Sequence, residues 1–215
     1  MKKLLLFILL ASSLVAVGQK HFIGVRGGVN LSNVNQEYSV INTSSEPGFS
    51  GGLTYDFHFK EHITMGADLL YFQNGFGLKT FYLSTQPATI TDSFNYNYLS
   101  LPLKSGITVG NTFSGFLNLG LIPSVILNAK TTTSSSMGSE TWDVTDSATK
   151  FDLAGLIEMG GSLLVHENIK AFISVEFRHS ITSFKNYEYF PNNALRHYNT
   201  IFSFGIKYLL NNNSL

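Results

Sequence analysis

The chain has 215 residues, enough for one all-β barrel or sandwich, and no shift in composition marks a second domain. Its 14 Lys and Arg balance 14 Asp and Glu, which gives no electrostatic reason to expect a nucleic-acid partner. Charged residues make up 13%, about half the share usual in soluble domains. Cysteine is absent, which excludes a disulfide framework, a thiolate nucleophile, a zinc–thiolate centre and a lipoprotein anchor.

Residues 1–18 read as a cleaved secretory leader: Lys2 and Lys3, an apolar run over 4–10, then small residues ending at Gly18. The apolar run is shorter than the ~20 residues of a spanning helix. Residues 19–215 then form the exported domain, with no stretch suited to a transmembrane helix. A membrane location for such a chain requires a closed barrel, because hydrocarbon offers no partner to unpaired backbone groups.

From there the chain alternates with period two, the signature of strands. The first predicted strand, 22–32, sets Ile23, Val25, Val29 and Leu31 against Gly24, Arg26, Gly28, Asn30 and Ser32. An Asn- and Ser-rich connection leads to the second, 49–60. It sets Phe49, Gly51, Leu53, Tyr55, Phe57 and Phe59 against Ser50, Gly52, Thr54, Asp56, His58 and Lys60. After a short turn the third, 63–74, carries Ile63, Met65, Ala67, Leu69 and Tyr71 on one face and Thr64, Gly66 and Asp68 on the other. Residues 75–94 read as a long loop.

The fourth strand, 95–109, opposes Leu99, Leu101, Leu103 and Ile107 to Ser100, Lys104 and Gly106, and Gly110-Asn111 supplies a tight turn. The fifth, 112–128, opposes Leu117, Leu119, Leu121 and Val125 to Asn118, Gly120 and Ser124. Residues 129–148 form a Ser/Thr-rich loop with the single tryptophan, Trp142. The sixth strand, 150–165, alternates Leu153, Ile157, Met159 and Leu163 with Asp152, Glu158, Gly160 and Ser162. A turn at His166-Glu167-Asn168 leads to the seventh, 169–184. There Ile169, Ile173, Val175, Phe177 and Ile181 oppose Lys170, Ser174, Glu176, Arg178 and Ser180. A loop over 185–196 precedes the eighth, which ends near Leu210 and sets Phe202, Phe204, Ile206 and Tyr208 against Ser203, Gly205 and Lys207.

Long connections follow strands one, three, five and seven, and short ones follow two, four and six. A soluble sandwich has no reason to sort its loops by parity, whereas outer-membrane barrels join strands by short periplasmic turns and long extracellular loops. The expected fold is therefore all-β: an eight-stranded antiparallel up-and-down transmembrane β-barrel in the outer membrane.

Side-chain size orients the two faces. An eight-stranded barrel has an interior just wide enough to be filled by side chains. The polar faces are mostly Gly, Ser and Asn with a few charges, and the apolar faces are bulky. Bulky side chains turned to lipid and small or charged ones turned inward satisfy both conditions. The reverse, a soluble barrel with an apolar pocket, needs a more charged exterior. The inward set predicts a polar lumen network of Arg26, Asp56, His58, Asp68, Lys104, Asp152, Glu158, Glu176, Arg178 and Lys207. Lys60 and Lys170 fall near the short-turn end. Buried charges must be paired, so both signs in a narrow lumen suggest a plug and no open channel. A one-residue slip of strand two would turn Asp56 to lipid at up to ~2–4 kcal/mol, which fixes the register.

Pro102 and Pro123 fall inside predicted strands, where a closed barrel has no free edge, so a bulge or strand end is expected at each. Tyr55, Phe57, Phe59, Tyr71, Phe72, Tyr96, Tyr98, Phe177, Phe184, Phe204 and Tyr208 fit interface girdles.

The segment Tyr98-Leu99-Ser100-Leu101-Pro102-Leu103-Lys104 resembles the Tyr-Leu-x-Ile-Pro-Leu-x motif of the PorT-like, outer membrane protein beta-barrel domain proteins of Bacteroidetes. The Gly-Val-x-Gly-Gly-x-Asn-Leu-Ser opening from Gly24, the Asp152-to-Gly155 segment and the Phe-x-Phe-Gly-Ile-x-Tyr close are similar too. The Asn-rich tail after Leu210 departs from the terminal aromatic common in such barrels. The resemblance implies an eight-stranded outer-membrane barrel, and PorT itself belongs to the type IX secretion and gliding apparatus.

No catalytic, cofactor or metal site is expected. Arg178-His179-Ser180 is the nearest approach to a lipid-modifying Ser/His pair, yet adjacent strand residues point apart. His58 with Asp56 and Asp68 lacks metal-ligand spacing and reads as a lumen histidine. The expected role is structural or adhesive. Outer-membrane lipid and lipopolysaccharide surround the barrel, and envelope proteins are the partners open to its loops or turns. The alternatives are an accessory part of an envelope secretion machine, a lipid-modifying enzyme and a narrow transporter.

Overall fold

The computed structural model describes residues 20–36, 43–59, 62–82, 88–136, 138–183 and 195–210. The leader expected over 1–18, Lys60 and Phe184 lie outside them. Ten strands follow in order: β1 (Lys20–Gln36), β2 (Thr43–His58), β3 (Ile63–Tyr82), β4 (Ala88–Ser100), β5 (Leu103–Gly110), β6 (Phe113–Ser135), β7 (Gly138–Asp143), β8 (Phe151–His166), β9 (Ile169–Ser180) and β10 (Leu195–Leu209). Every ladder is antiparallel. β10 pairs with β1 from Phe22↔Leu209 to Gln36↔Leu195, which closes the ring. β4 and β5 are one stave broken at Leu101-Pro102, and β7 is an arm paired to β6 off the ring, so the ten strands make eight staves. Among the described residues no helix is long and apolar enough to cross a membrane, and the ring of strands is what spans it.

Alternation follows the predicted parity. Ile23, Val25, Val29 and Leu31 are exposed on β1, while Arg26, Asn30 and Ser32 are buried. Similar belts run along the other staves, from Ile63 to Tyr71 on β3 and from Phe202 to Tyr208 on β10. The turns at 111–112 and 167–168 lie at the same end as the facing ends of β2 and β3 at His58 and Ile63, and Gly110 enters its turn at a φ of 105°, a backbone angle that favours glycine. Inward glycines let adjacent staves approach. A Cβ on Gly52 would lie 2.0 Å from the Leu69 carbonyl oxygen.

Both prolines meet at one spot. Leu101 donates its N–H to the Pro123 carbonyl at 2.9 Å, and Asp68 donates to the Pro102 carbonyl at 2.9 Å. Each proline thus keeps one of the two bonds of an antiparallel hydrogen-bonded pair and forfeits the one it cannot donate. The stave ends and resumes at Pro102, as expected. At Pro123 neither bulge nor strand end occurs: β6 runs through it, with Pro123 opposite Leu153. The register is unchanged across the break, from Ser100↔Ser124 to Leu103↔Leu121. The bulge lies further out, where Asn97 faces Asn128 and Tyr98 faces Ile126, leaving Leu127 as the extra residue.

The outer end differs from the sequence reading. Residues 75–94 and 129–148 are not plain loops. β3 and β4 continue as a hairpin to Tyr82↔Ala88, and β6 folds back with β7 to Ser135↔Gly138. Above the apolar belt the inside–outside pattern reverses. Lys79, Asn95, Lys130 and Arg196 point out to water, and Phe76, Phe94, Tyr96, Leu195, Val34, Val144 and Ala148 pack inside. The Phe76 and Phe94 rings stack at 4.7 Å. Once water replaces lipid outside, burying apolar groups inside becomes favourable. Hence Phe72, Tyr96 and Tyr98 are not girdle residues; they are buried in the lumen. Tyr55, Phe59, Tyr71, Phe177, Phe204 and Tyr208 do face outward.

Candidate functional site

Five staves converge on one charged layer across the middle of the lumen. Arg26 on β1 places Nη1 2.8 Å from Asp68 Oδ2 and 3.1 Å from Glu158 Oε1, and Nη2 3.2 Å from Glu176 Oε2. Lys104 on β5 lies 2.9 Å from Asp68 and 3.3 Å from Glu158. Arg178, two residues from Glu176 on the same face of β9, donates Nε to it. Three cations therefore meet three carboxylates, and their side chains are at most 3% exposed. Neutral donors complete the shell. Asn118 and Ser174 each donate to Glu158 at 3.0 Å, and Ser203 accepts from Arg26 at 3.0 Å. The Arg178 guanidinium also lies over the Phe72 ring at 4.3 Å.

Alternation explains the assembly: each charge occupies an inward position, and the small residues beside them leave room for long side chains to reach across. Burying an ion costs several kcal/mol, and this is recovered only where counter-charges and hydrogen bonds are complete.

The other predicted lumen residues stand outside this layer. Lys207 pairs with Asp56 toward the short-turn end, its Nζ 4.2 Å from the Phe172 ring centre. His58 packs against Phe22 at 5.0 Å, and the Lys170 ammonium lies 5.1 Å from the same Phe22 ring. Phe22, Asp56, His58, Lys170 and Lys207 line a small cavity of about 30 Å³ that also reaches Lys104 and Asn118 of the charged layer. Asp152 lies toward the outer end, accepting from Ser180 at 3.0 Å and Thr182 at 2.7 Å. The sequence reading missed the neutral partners Asn118, Ser174, Ser203 and Thr182 and the rings of Phe72 and Phe172. The parity of Asn118, Ser174 and Ser203 was visible, but their distance to a charge was not.

His179 is exposed on the outer face and Ser180 is buried inward on Asp152, so no Ser/His pair forms there. Among the described residues no three His, Asp or Glu side chains gather as a metal site. The arrangement can brace and close a lumen.

No curated protein sequence matches the chain. Among solved structures, the attachment invasion locus protein Ail of Yersinia pestis is 15% identical, over 88% of this chain and 99% of that one, with a TM-score of 0.44. OprG of Pseudomonas aeruginosa is 12% identical, over 90% and 97%, with a TM-score of 0.44. Neisserial surface protein A is 10% identical, over 87% and 96%, with a TM-score of 0.42. The family model for the outer membrane protein beta-barrel domain matches residues 18–186, most of the chain and most of the ring. This chain is an outer-membrane protein and belongs to the outer membrane protein beta-barrel domain family.

Proposed function

We propose that the protein is a sealed outer-membrane barrel whose work is done by its outer hairpins, with no reaction in the lumen. The reading rests on the charged layer. Arg26, Lys104, Arg178, Asp68, Glu158 and Glu176 neutralise one another inside the barrel, with Arg26 reaching β3, β8 and β9, none of which shares a ladder with β1, and on this reading the layer closes the lumen to water. Above it, the β3–β4 hairpin rises past the apolar belt on an apolar core shared with Val34 and Leu195, and the exposed β6–β7 arm extends from the same end, a platform for contacts outside the cell. In the Ail structures, one complex holds a heparin analogue, sucrose octasulfate, which illustrates a ligand on a small barrel. Export is directed by residues 1–18, the leader read from the sequence, which is removed from the mature barrel.

Planar-bilayer recording tests the seal: the purified barrel should give no steady conductance, and sustained unitary steps would overturn it. Deleting the 138–143 arm should lower adhesion of whole cells to host or matrix surfaces while leaving barrel assembly unchanged. Unchanged adhesion would remove the contact role.

A second reading, an accessory part of a PorT-like envelope secretion machine, draws on the 98–104 motif. Tyr98 enters the outer core, Pro102 breaks the stave and Lys104 joins the charged layer, so the motif builds the lumen. Stoichiometric co-purification of other envelope proteins in mild detergent would favour it over a barrel acting alone.

A further inference from the structure

On the outside of the barrel, at the upper edge of the apolar belt, three polar side chains share one face. Tyr198 on β10 lies directly opposite His179 on β9 and, on its other side, Asn33 on β1. Arg196 follows two residues along the same face of β10, and Arg196, Tyr198 and His179 are all exposed. No carboxylate among the described residues of β1, β8, β9 and β10 faces outward beside them at this rim. Among the described residues of these staves, the patch is thus a guanidinium, an imidazole and a phenol hydroxyl with no counter-charge.

Directly below, the same staves carry a shallow apolar depression of about 840 Å³ bordered by Val29, Met159, Ile173, Phe202 and Phe204. Its floor is bare backbone. Gly27 opposes Phe204 and Gly161 opposes Ile173, so two glycines flank a ridge of two large side chains. A Cβ on Gly27 would meet its nearest heavy atom only at 4.0 Å, so here glycine opens space rather than relieving a clash. The depression crosses the middle of the belt. Phe202 and Leu31 mark the upper edge of that belt, and Tyr208 and Ile23 lie near the short turns. Six residues of strand, Tyr198 to Phe204, span on the order of 20 Å, the reach of a fatty acyl chain.

We propose that this face of β8, β9, β10 and β1 seats one phosphorylated, multiply acylated lipid of the outer leaflet, of the lipid A type. Arg196 and His179 meet a phosphate, with the Tyr198 hydroxyl as a further donor. An acyl chain lies over Gly27 beside Phe204. A guanidinium–phosphate contact is charge-assisted and directional, and the glycine floor lets the chain pack closer than it could on a uniform lipid face. The inference rests on the outer-membrane setting and is independent of any role for the hairpins. It is read by lipid binding to the purified barrel, which neither adhesion nor conductance affects.

The test is native mass spectrometry of the folded, detergent-purified protein titrated with lipid A, with dephosphorylated lipid A and with phosphatidylglycerol. Lipid A is expected to be retained. Removing the phosphates, or making Arg196→Gln with His179→Gln, should weaken retention about tenfold or more, the scale of one or two charge-assisted hydrogen bonds. Gly27→Leu, which fills the floor, should weaken it with the phosphates intact. Ile173→Trp blocks the same floor should Gly27→Leu fail to fold, and heat-modifiable gel mobility certifies each variant. Lys79→Gln, a cation on the outer hairpin away from the patch, should retain lipid A as the parent does. Retention unchanged by the Arg196 and His179 substitutions, retention unchanged by a filled floor, or equal retention of phosphatidylglycerol would each overturn the proposal.

Discussion

Arg26 on β1 and Glu158 on β8 approach to 3.1 Å although no ladder joins their strands. β9 and β10 lie between them in the wall, so the contact crosses the lumen instead of following it. Glu158 also meets Lys104 on β5, and Arg26 also meets Asp68 on β3. The layer therefore braces the ring from within, along directions that backbone hydrogen bonds cannot take. On the sealed-barrel reading proposed above, the same contacts occupy the space a solute would need.

Glu158→Ala should destabilise the folded barrel by about 3–5 kcal/mol, because it strands Arg26 and Lys104 in the interior with part of their counter-charge removed. Removing Asp56 and Lys207 together, as Asp56→Asn with Lys207→Met, should cost much less, since each charge leaves with its partner. Urea midpoints of the detergent-folded proteins measure both. Equal effects would mean that the central layer has no special weight.

Glycine positions with opposite surroundings should respond in opposite ways. Gly52→Ala would press a methyl group to 2.0 Å from the Leu69 carbonyl oxygen and should impair barrel assembly. Gly27→Ala has open space and should assemble as the parent does. Folded yield on unheated gels distinguishes them, and a well-assembled Gly52→Ala protein would contradict the close approach of β2 and β3.

Phe76→Ala should loosen the outer core without unseating the barrel. A buried phenylalanine lost to a cavity costs about 3–5 kcal/mol, and Phe76 also loses its stacked partner Phe94. Limited proteolysis should cut the β3–β4 hairpin faster while heat-modifiable mobility persists. Loss of both together would show that the two halves fold as one unit.

Acid should fray the β6–β7 arm. Hydrogen bonds from the Thr145 side chain and backbone hold the Asp143 carboxyl below the usual carboxylate range. A depressed carboxylate contributes stability that is present above its unfolded pKa and fades as pH falls through the folded value. Amide exchange over 138–143, corrected for intrinsic rates, should therefore rise as pH is lowered below the ordinary aspartate range. Asp143→Asn should abolish that dependence.

Alternation along the chain was enough to determined which residues share a face, and the inward parity of Arg26, Asp68, Lys104, Glu158, Glu176 and Arg178 was legible in it. So was the eight-stave ring, because loop lengths sort by parity only when both ends of the strands face different worlds. Pairing was not legible: which carboxylate meets Arg26 depends on the stagger between staves and on reach across the lumen, and period two carries neither. The bulge at Leu127 is equally hidden, and beyond it the inward parity of β6 shifts to Ala129 and Thr131. Nor could local pattern place Tyr96 and Tyr98. An inward tyrosine and a girdle tyrosine alternate alike, and only the height at which lipid gives way to water decides whether the apolar side of a strand belongs outside or within.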